Sequence, residues 1–123
     1  MYIPSEKEEA LALVAEFRRR GYKFHHSPNE TGHTPEAKRR AIRVKREGTS
    51  KGFPDYIVIA DGKVFAIELK RIKDSYPSPE QKAWIAAFEA AGVISTVAKG
   101  AKAALDFIDK YVTTPVVDDS SPF

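Results

Sequence analysis

The sequence contains no cysteine among its 123 residues. This absence excludes a disulfide-stabilised scaffold, a zinc site built on thiolates and a cysteine nucleophile. Long apolar runs are missing as well, since no stretch approaches the roughly 18 residues that a membrane-spanning helix needs. The N-terminal segment, MYIPSEKEEALAL, is acidic where a secretory signal would be basic. We therefore expect a soluble, cytoplasmic protein that has no membrane partner.

The sequence also lacks a strong excess of one charge. Its 20 Lys and Arg against 17 Asp and Glu leave a formal net charge of +3, which excludes a highly basic, histone-like binder. With 42% hydrophobic residues the chain can bury a core, and at roughly 100–200 residues per domain its length predicts one domain. We place this domain at residues 1–112. The tail 113–123, TTPVVDDSSPF, shows no periodicity, so we expect it to be loose.

Helical and strand-like segments alternate along the domain. Helix signals (a capping residue, an apolar stripe and a terminating glycine) lie between Ser5 and Gly21, between Thr34 and Gly48, between Ser78 and Gly92, and over 101–112 without the flanking cap. Short apolar or aromatic runs predict strands at 22–26, 55–60, 63–71 and 93–98. The order αβαββαβα predicts an α/β fold with a central mixed sheet flanked by helices. The two middle strands are apolar at consecutive positions, so we expect helices on both of their faces.

A predicted hairpin brings charged residues together. Asp61-Gly62 between two apolar runs is a strong signal for a two-residue hairpin turn. Continuing the strand pairing outward from that turn places Asp55 opposite Glu68, with Cβ atoms about 4.5–5.5 Å apart. Lys70, two residues further along its strand, shares their face. Two carboxylates and an ammonium therefore converge at one end of an otherwise apolar hairpin.

Two carboxylates at that separation repel by roughly 3 kcal/mol at an effective dielectric constant near 20. A shared proton, a neutralising Lys70 or a divalent metal ion would relieve the repulsion. Mg²⁺ prefers one or two carboxylates with several waters, which leaves coordination positions open for a substrate phosphate. Such a metal activates water and stabilises the charge that develops during phosphodiester cleavage. A cross-strand ion pair at the end of a sheet is the purely structural alternative.

The wider pattern around these residues resembles a nuclease signature. Pro54-Asp55, twelve residues and then Glu68-Leu69-Lys70 resemble the PD-(D/E)xK motif. The string GTSKGFPDYIVIADGKVFAIELKR, followed by SPEQKAW, resembles the VRR-NUC family of that superfamily in its stand-alone, phage-type form. The resemblance runs from about residue 6 to 111 and implies a restriction-endonuclease-like core. It further implies a DNA endonuclease that depends on Mg²⁺ or Mn²⁺ and needs no small-molecule cofactor. If a phage encodes it, the compartment is the cytoplasm of the host.

By motif position the resemblance assigns Asp55 and Glu68 as metal ligands, with help from the backbone carbonyl of Leu69. Lys70 is implied as the catalytic lysine, and Gln81 as the family's glutamine on the helix after the hairpin. In the run from Ser78 to Gln81, however, the glutamine is also a candidate capping-box residue.

The resemblance also implies a glutamate on the first helix that completes the site. Glu6 is our first candidate because it shares the apolar face of that helix. Glu9, about 60° away around the helix, is the second. In addition, the stretch HSPNE resembles one that precedes the site in phage-type members, which makes His26 and Asn29 candidates for the cleft. An ordinary strand-to-turn segment is the alternative.

Basic residues are concentrated between residues 35 and 51. This segment contains seven basic residues and only two acidic ones. The seven are Lys38, Arg39, Arg40, Arg43, Lys45, Arg46 and Lys51. We interpret them as an arm that binds the DNA backbone, with a solvated helix face as the alternative. No base-reading motif is visible, which suits recognition of branched or Holliday-type junctions by shape. The resemblance implies a homodimer, whose two-fold axis would match such a junction. A non-catalytic nucleic-acid-binding module of the same fold is the alternative function.

Overall fold

A computed structural model describes residues 2–27, 34–48 and 50–113 of the protein. Over these residues the chain forms helices and strands in the predicted order. The helices are α1 (Glu6–Arg20), α2 (Pro35–Arg46), α3 (Pro79–Ala90) and α4 (Ala101–Asp109). The strands are β1 (Lys23–His26), β2 (Tyr56–Ala60), β3 (Lys63–Lys70) and β4 (Ile94–Lys99). Asn29 and the predicted tail beyond residue 113 lie outside the described residues.

The strands form one mixed sheet in the order β1-β2-β3-β4. β1 pairs with β2 and β2 with β3 in antiparallel fashion, whereas β3 and β4 are parallel. Ala60 pairs with Lys63, as the Asp61-Gly62 turn predicted. Asp61 and Gly62 have φ values of 52° and 70°, the left-handed conformations that a tight hairpin turn of this kind requires. The mixed sheet and the hairpin register are therefore confirmed.

The hydrophobic core lies between the sheet and the helix pair α1/α4. Fully buried side chains from both helices and from the central strands meet there, among them Leu13, Phe17, Phe65, Ile67 and Ile108. Helix α3 covers the opposite face, but only over β3 and β4. Within the described residues no helix is long and apolar enough to cross a bilayer.

The expectation that helices cover both faces of both middle strands is wrong for β2. Its outward-facing Ile59 is 48% exposed, because α3 does not reach β2. Helix α2 does not cover it either: among the described residues, α2 packs against no other helix or strand. A run of consecutive apolar residues thus occurs in a strand that is buried on one side only.

Two helix starts follow the predicted capping boxes. The Ser5 hydroxyl accepts the amide of Glu8, and Gly21 ends α1 with a left-handed φ of 72°. Helix α4 is shorter than predicted, since it stops at Asp109, and Gly100 before it offers no side-chain cap. Instead the buried carboxylate of Glu9 accepts the amide of Ala101 at 3.2 Å, which ties α4 to α1.

Candidate active site

The two hairpin carboxylates are buried side by side at the end of the sheet. Asp55 is 6% exposed and Glu68 is 1% exposed. The next position beyond the Tyr56–Ile67 pair is Asp55 opposite Glu68, so the predicted juxtaposition is formed. The Oδ2 atom of Asp55 also accepts the amide of Leu69 at 2.9 Å, which fixes this carboxylate against β3.

This burial leaves Glu68 electrostatically strained. Burial raises the pKa of its carboxyl well above the usual range, and the neighbouring charge of Asp55 raises it further. Lys70, whose Nζ lies 3.6 Å from Oε2 of Glu68, opposes this shift without cancelling it. Oε1 of Glu68 has no hydrogen-bond partner although it is buried. A carboxylate oxygen left open beside a second carboxylate is a donor set that suits a hard divalent cation.

Gln81 combines the two roles that the sequence suggested. Its Oε1 accepts the backbone amide of Ser78 at 2.8 Å, which closes the capping box of α3. Its Nε2 donates to Oε2 of Glu68 at 3.0 Å, so the same side chain holds the carboxylate. Oε2 is thereby occupied by Gln81 and faces Lys70, while Oε1 stays open.

Gly52 explains how the loop before Asp55 reaches the site. Its φ is 87°, and a Cβ atom there would lie 2.7 Å from the backbone carbon of Glu80. Only glycine therefore allows this loop to lie directly against the first turn of α3. The close approach keeps that turn, and Gln81 on it, next to the hairpin.

The first-helix glutamates occupy different environments. Glu6 is exposed, but its charge acts at the site end: the pKa of Tyr56 is raised to about 12, first by burial and then by Asp55 and Glu6. Glu9 is buried, and its Oε2 has no hydrogen-bond partner. In the described part of the chain, no group of three or more His, Cys, Asp or Glu side chains is arranged to hold a metal ion. The structure thus gathers the hairpin acids, Lys70 and Gln81, but joins neither glutamate to them.

His26 lies at the same end of the sheet. It pairs with Tyr56 across the β1/β2 ladder, and its ring stacks on the tyrosine ring with centroids 4.8 Å apart. One residue further, the amide of Ser27 donates to the carbonyl of Asp55 at 2.8 Å. His26 thus lies at the same end of the sheet as the carboxylates but on the face that packs against α1, whereas Glu68 bonds Gln81 of α3 on the other face.

The predicted basic arm is exposed to solvent. All its cationic residues are exposed: Lys38, Arg39, Arg40, Arg43, Lys45, Arg46 and Lys51. Three of the arginines line a shallow hollow together with Glu36, and Nζ of Lys51 lies 3.9 Å from a carboxylate oxygen of Glu80 at the start of α3. Because α2 packs on no other element of the described chain, its charge serves no structural task in the core.

Sequence reasoning missed one cation near the site. The parallel pairing of β3 and β4 aligns Lys99 with Lys70. Lys99 carries no motif, and only the register of a parallel pair places it there. A hairpin turn fixes register in the sequence, whereas a parallel crossover does not.

Comparison with known proteins gives one consistent result. The sequence profile of the VRR-NUC domain matches residues 6–102. A solved structure described as "VRR_NUC domain protein" superimposes with a TM-score of 0.74 at 28% identity, covering 100% of both chains. Another, described as "VRR_NUC domain", reaches a TM-score of 0.62 at 19% identity over 88% of this chain and 99% of that one, a likeness of fold alone. No curated protein matches the sequence.

Proposed function

The chain belongs to the VRR-NUC family of nuclease-type domains, and on that premise we propose that it is a metal-dependent endonuclease for branched DNA. It would hydrolyse phosphodiester bonds in Holliday-type or other branched junctions with Mg²⁺ or Mn²⁺. The strongest support is the buried pair Asp55 and Glu68 with one open oxygen on Glu68. Keeping two acids together in the core is costly unless a shared proton or a cation compensates them, and the metal is the form of compensation that we propose.

Asp55, Glu68 and the backbone carbonyl of Leu69 would hold the metal. When bound, the metal would supply an activated water and stabilise the charge on the phosphate. For the first-helix ligand we propose Glu9 rather than Glu6, and the support is that Oε2 of the buried Glu9 has no hydrogen-bond partner. Replacing Glu9 and Glu6 by glutamine in separate variants decides between them.

Lys70 lies beside the carboxylate pair, with a side chain that is 13% exposed and its Nζ atom 3.6 Å from Oε2 of Glu68. A scissile phosphate would bind next to this ammonium. We assign it to orienting the attacking water or neutralising the phosphate. Gln81 is a positioning residue, because it occupies Oε2 of Glu68 and leaves Oε1 free.

The cations of α2 and Lys51 would bind the phosphate backbone of the DNA. Contacts of this kind give affinity without reading sequence, as a structure-selective enzyme requires. A protomer of 13.7 kDa has little surface for holding two duplexes, so we propose that a homodimer engages the junction.

Labelled junction DNA tests the proposal. We expect cleavage by the wild-type protein with Mg²⁺ or Mn²⁺, none in EDTA, and none by the Asp55→Asn variant in either condition. A linear duplex of the same sequence measures structure selectivity, and gel-shift binding of the variant checks that it still folds and binds. Binding without cleavage under all conditions would instead favour a non-catalytic DNA-binding module.

A further inference from the structure

A loop next to the proposed site exposes an aromatic ring. Residues 71–78 connect β3 to α3 and begin directly after Lys70. Tyr76 in this loop is 72% exposed, and Ile72 is 51% exposed. Arg71 and Lys73 outnumber Asp74 in the same loop, which therefore carries a small positive charge. Packing in the core does not account for a large ring presented to solvent among cations.

The ring is held by a cation that neighbours the catalytic lysine. Nζ of Lys99 lies 4.1 Å from the centroid of the Tyr76 ring, a distance suited to a cation–π contact. Lys99 in turn pairs with Lys70 across β3 and β4, where neighbouring strands lie about 4.8 Å apart. Lys70, Lys99 and Tyr76 therefore follow one another outward from the carboxylate pair. The ammonium covers one side of the ring and leaves the rest accessible.

The base of the loop is anchored. The amide of Gly100 donates to the carbonyl of Lys70 at 2.9 Å. Gly100 has a φ of 92°, and a Cβ atom there would lie 3.0 Å from Cγ1 of Ile72. The loop thus lies directly against the start of α4 at a position that only glycine permits. Tyr76 is presented from a fixed base.

From this juxtaposition we infer that Tyr76 is a stacking platform for an unpaired base beside the phosphate that is cut. Ammonium groups bind phosphates and aromatic rings stack on bases of any identity, so the set recognises a nucleotide without reading its sequence. A base inside a duplex is already stacked between its neighbours and does not reach the ring, whereas an unpaired base at a branch point is free to do so. Tyr76 would therefore help to select branched DNA. The position of the cut rests on the proposed function.

Fluorescence of a base analogue tests the inference without cleavage. The protein carries Asp55→Asn to prevent cutting, and the DNA is a branched junction with 2-aminopurine as an unpaired base at the branch. We expect quenching by the parent and by Tyr76→Phe, which keeps the ring. We expect none by Tyr76→Leu, which keeps apolar bulk without a π face. The preference for this junction over a linear duplex should fall about 5- to 150-fold in Tyr76→Leu.

Tyr111→Leu is the matched control. Tyr111 is also an exposed tyrosine, but its ring packs on Phe65. It lies near the opposite end of the sheet, because the hydroxyl of Thr113, two residues later, donates a hydrogen bond to Asp61 in the hairpin turn. This variant should quench like the parent. The inference is overturned if the parent does not quench, if Tyr76→Leu quenches, or if Tyr76→Leu loses affinity equally for junction and duplex.

The two proposals fail separately. Quenching that depends on Tyr76, together with a wild-type protein that cuts nothing, would support the platform and refute the nuclease. Metal-dependent cleavage without such quenching would refute the platform and leave the nuclease standing.

Discussion

The carboxylate end of the hairpin and helix α2 are built in opposite ways. Asp55 and Glu68 are buried, and each is held by a hydrogen bond from a neighbouring element. Helix α2 packs on no other element of the described chain, and its cations are exposed. Chemistry at a phosphate requires groups fixed to within a fraction of an ångström, whereas backbone binding requires charge in the right region. We therefore expect substitutions in the first region to affect the chemical step and substitutions in the second region to affect the affinity for DNA.

The largest effect should come from removing one acid. We expect Asp55→Asn or Glu68→Gln to lower the single-turnover cleavage rate by about 10³-fold or more, because the metal loses a ligand. Folding should survive, since asparagine still accepts the amide of Leu69 and glutamine still accepts from Gln81. Circular dichroism and junction affinity are the controls. Full activity of either purified variant would contradict the metal assignment.

Lys70→Ala should separate chemistry from metal binding within the first region. We expect the single-turnover rate to fall by about 10²–10⁴-fold, as for loss of a positioned proton donor or acceptor. Metal affinity measured by calorimetry should change little, because an ammonium is not a metal ligand. A variant that lost metal affinity but cut at the wild-type rate would show that the assigned role is wrong.

Changes in α2 should act on affinity alone. We expect Arg39→Ala, Arg40→Ala and Arg43→Ala together to weaken binding to unrelated sequences alike. The slope of log affinity against log salt should flatten by about 0.9 for each phosphate that the variant no longer neutralises. Replacing Lys102 and Lys110, exposed cations of the α4 region, should leave the slope unchanged. An unchanged slope in the α2 variant would refute the phosphate arm, and weaker binding confined to one sequence would indicate base reading instead.

The smallest expected effect is on the free energy of unfolding. It should rise when an acid of the first region is replaced and stay nearly unchanged when cations of the second region are replaced. Removing the repulsion in Asp55→Asn should raise the free energy of unfolding of the metal-free protein by about 1 kcal/mol. The triple arginine variant should stay within about 0.5 kcal/mol of the wild type, since α2 packs on no other element of the described chain. Urea unfolding in EDTA measures both. Destabilisation by Asp55→Asn would mean that the two acids support the fold rather than strain it.

The hairpin site was predictable because its information is local. A two-residue turn determines which residues pair, so Asp55, Glu68 and Lys70 followed from Asp61-Gly62 alone. The exposure of Ile59 was not predictable, since consecutive apolar residues look the same whether or not a helix covers them. The environments of Glu6 and Glu9 also depend on how α1 docks, and residues 60° apart on a helix carry no signal that separates them. The positions of Lys99 and Gly52 were not predictable either, because long-range packing, and not a local sequence pattern, places them next to the site.

The bond between Glu9 and the amide of Ala101 has a consequence for the order of folding. It joins residues 92 positions apart, so the start of α4 remains uncapped until the N-terminal helix has docked. Contacts of such sequence separation close large loops, and they form late because the entropy of closure must be overcome first. During synthesis α1 emerges from the ribosome before α4, so α1 is made well before the helix end that it caps. Protection of the Ala101 amide from hydrogen exchange therefore reports the docking of α1 onto α4 rather than local fraying of α4.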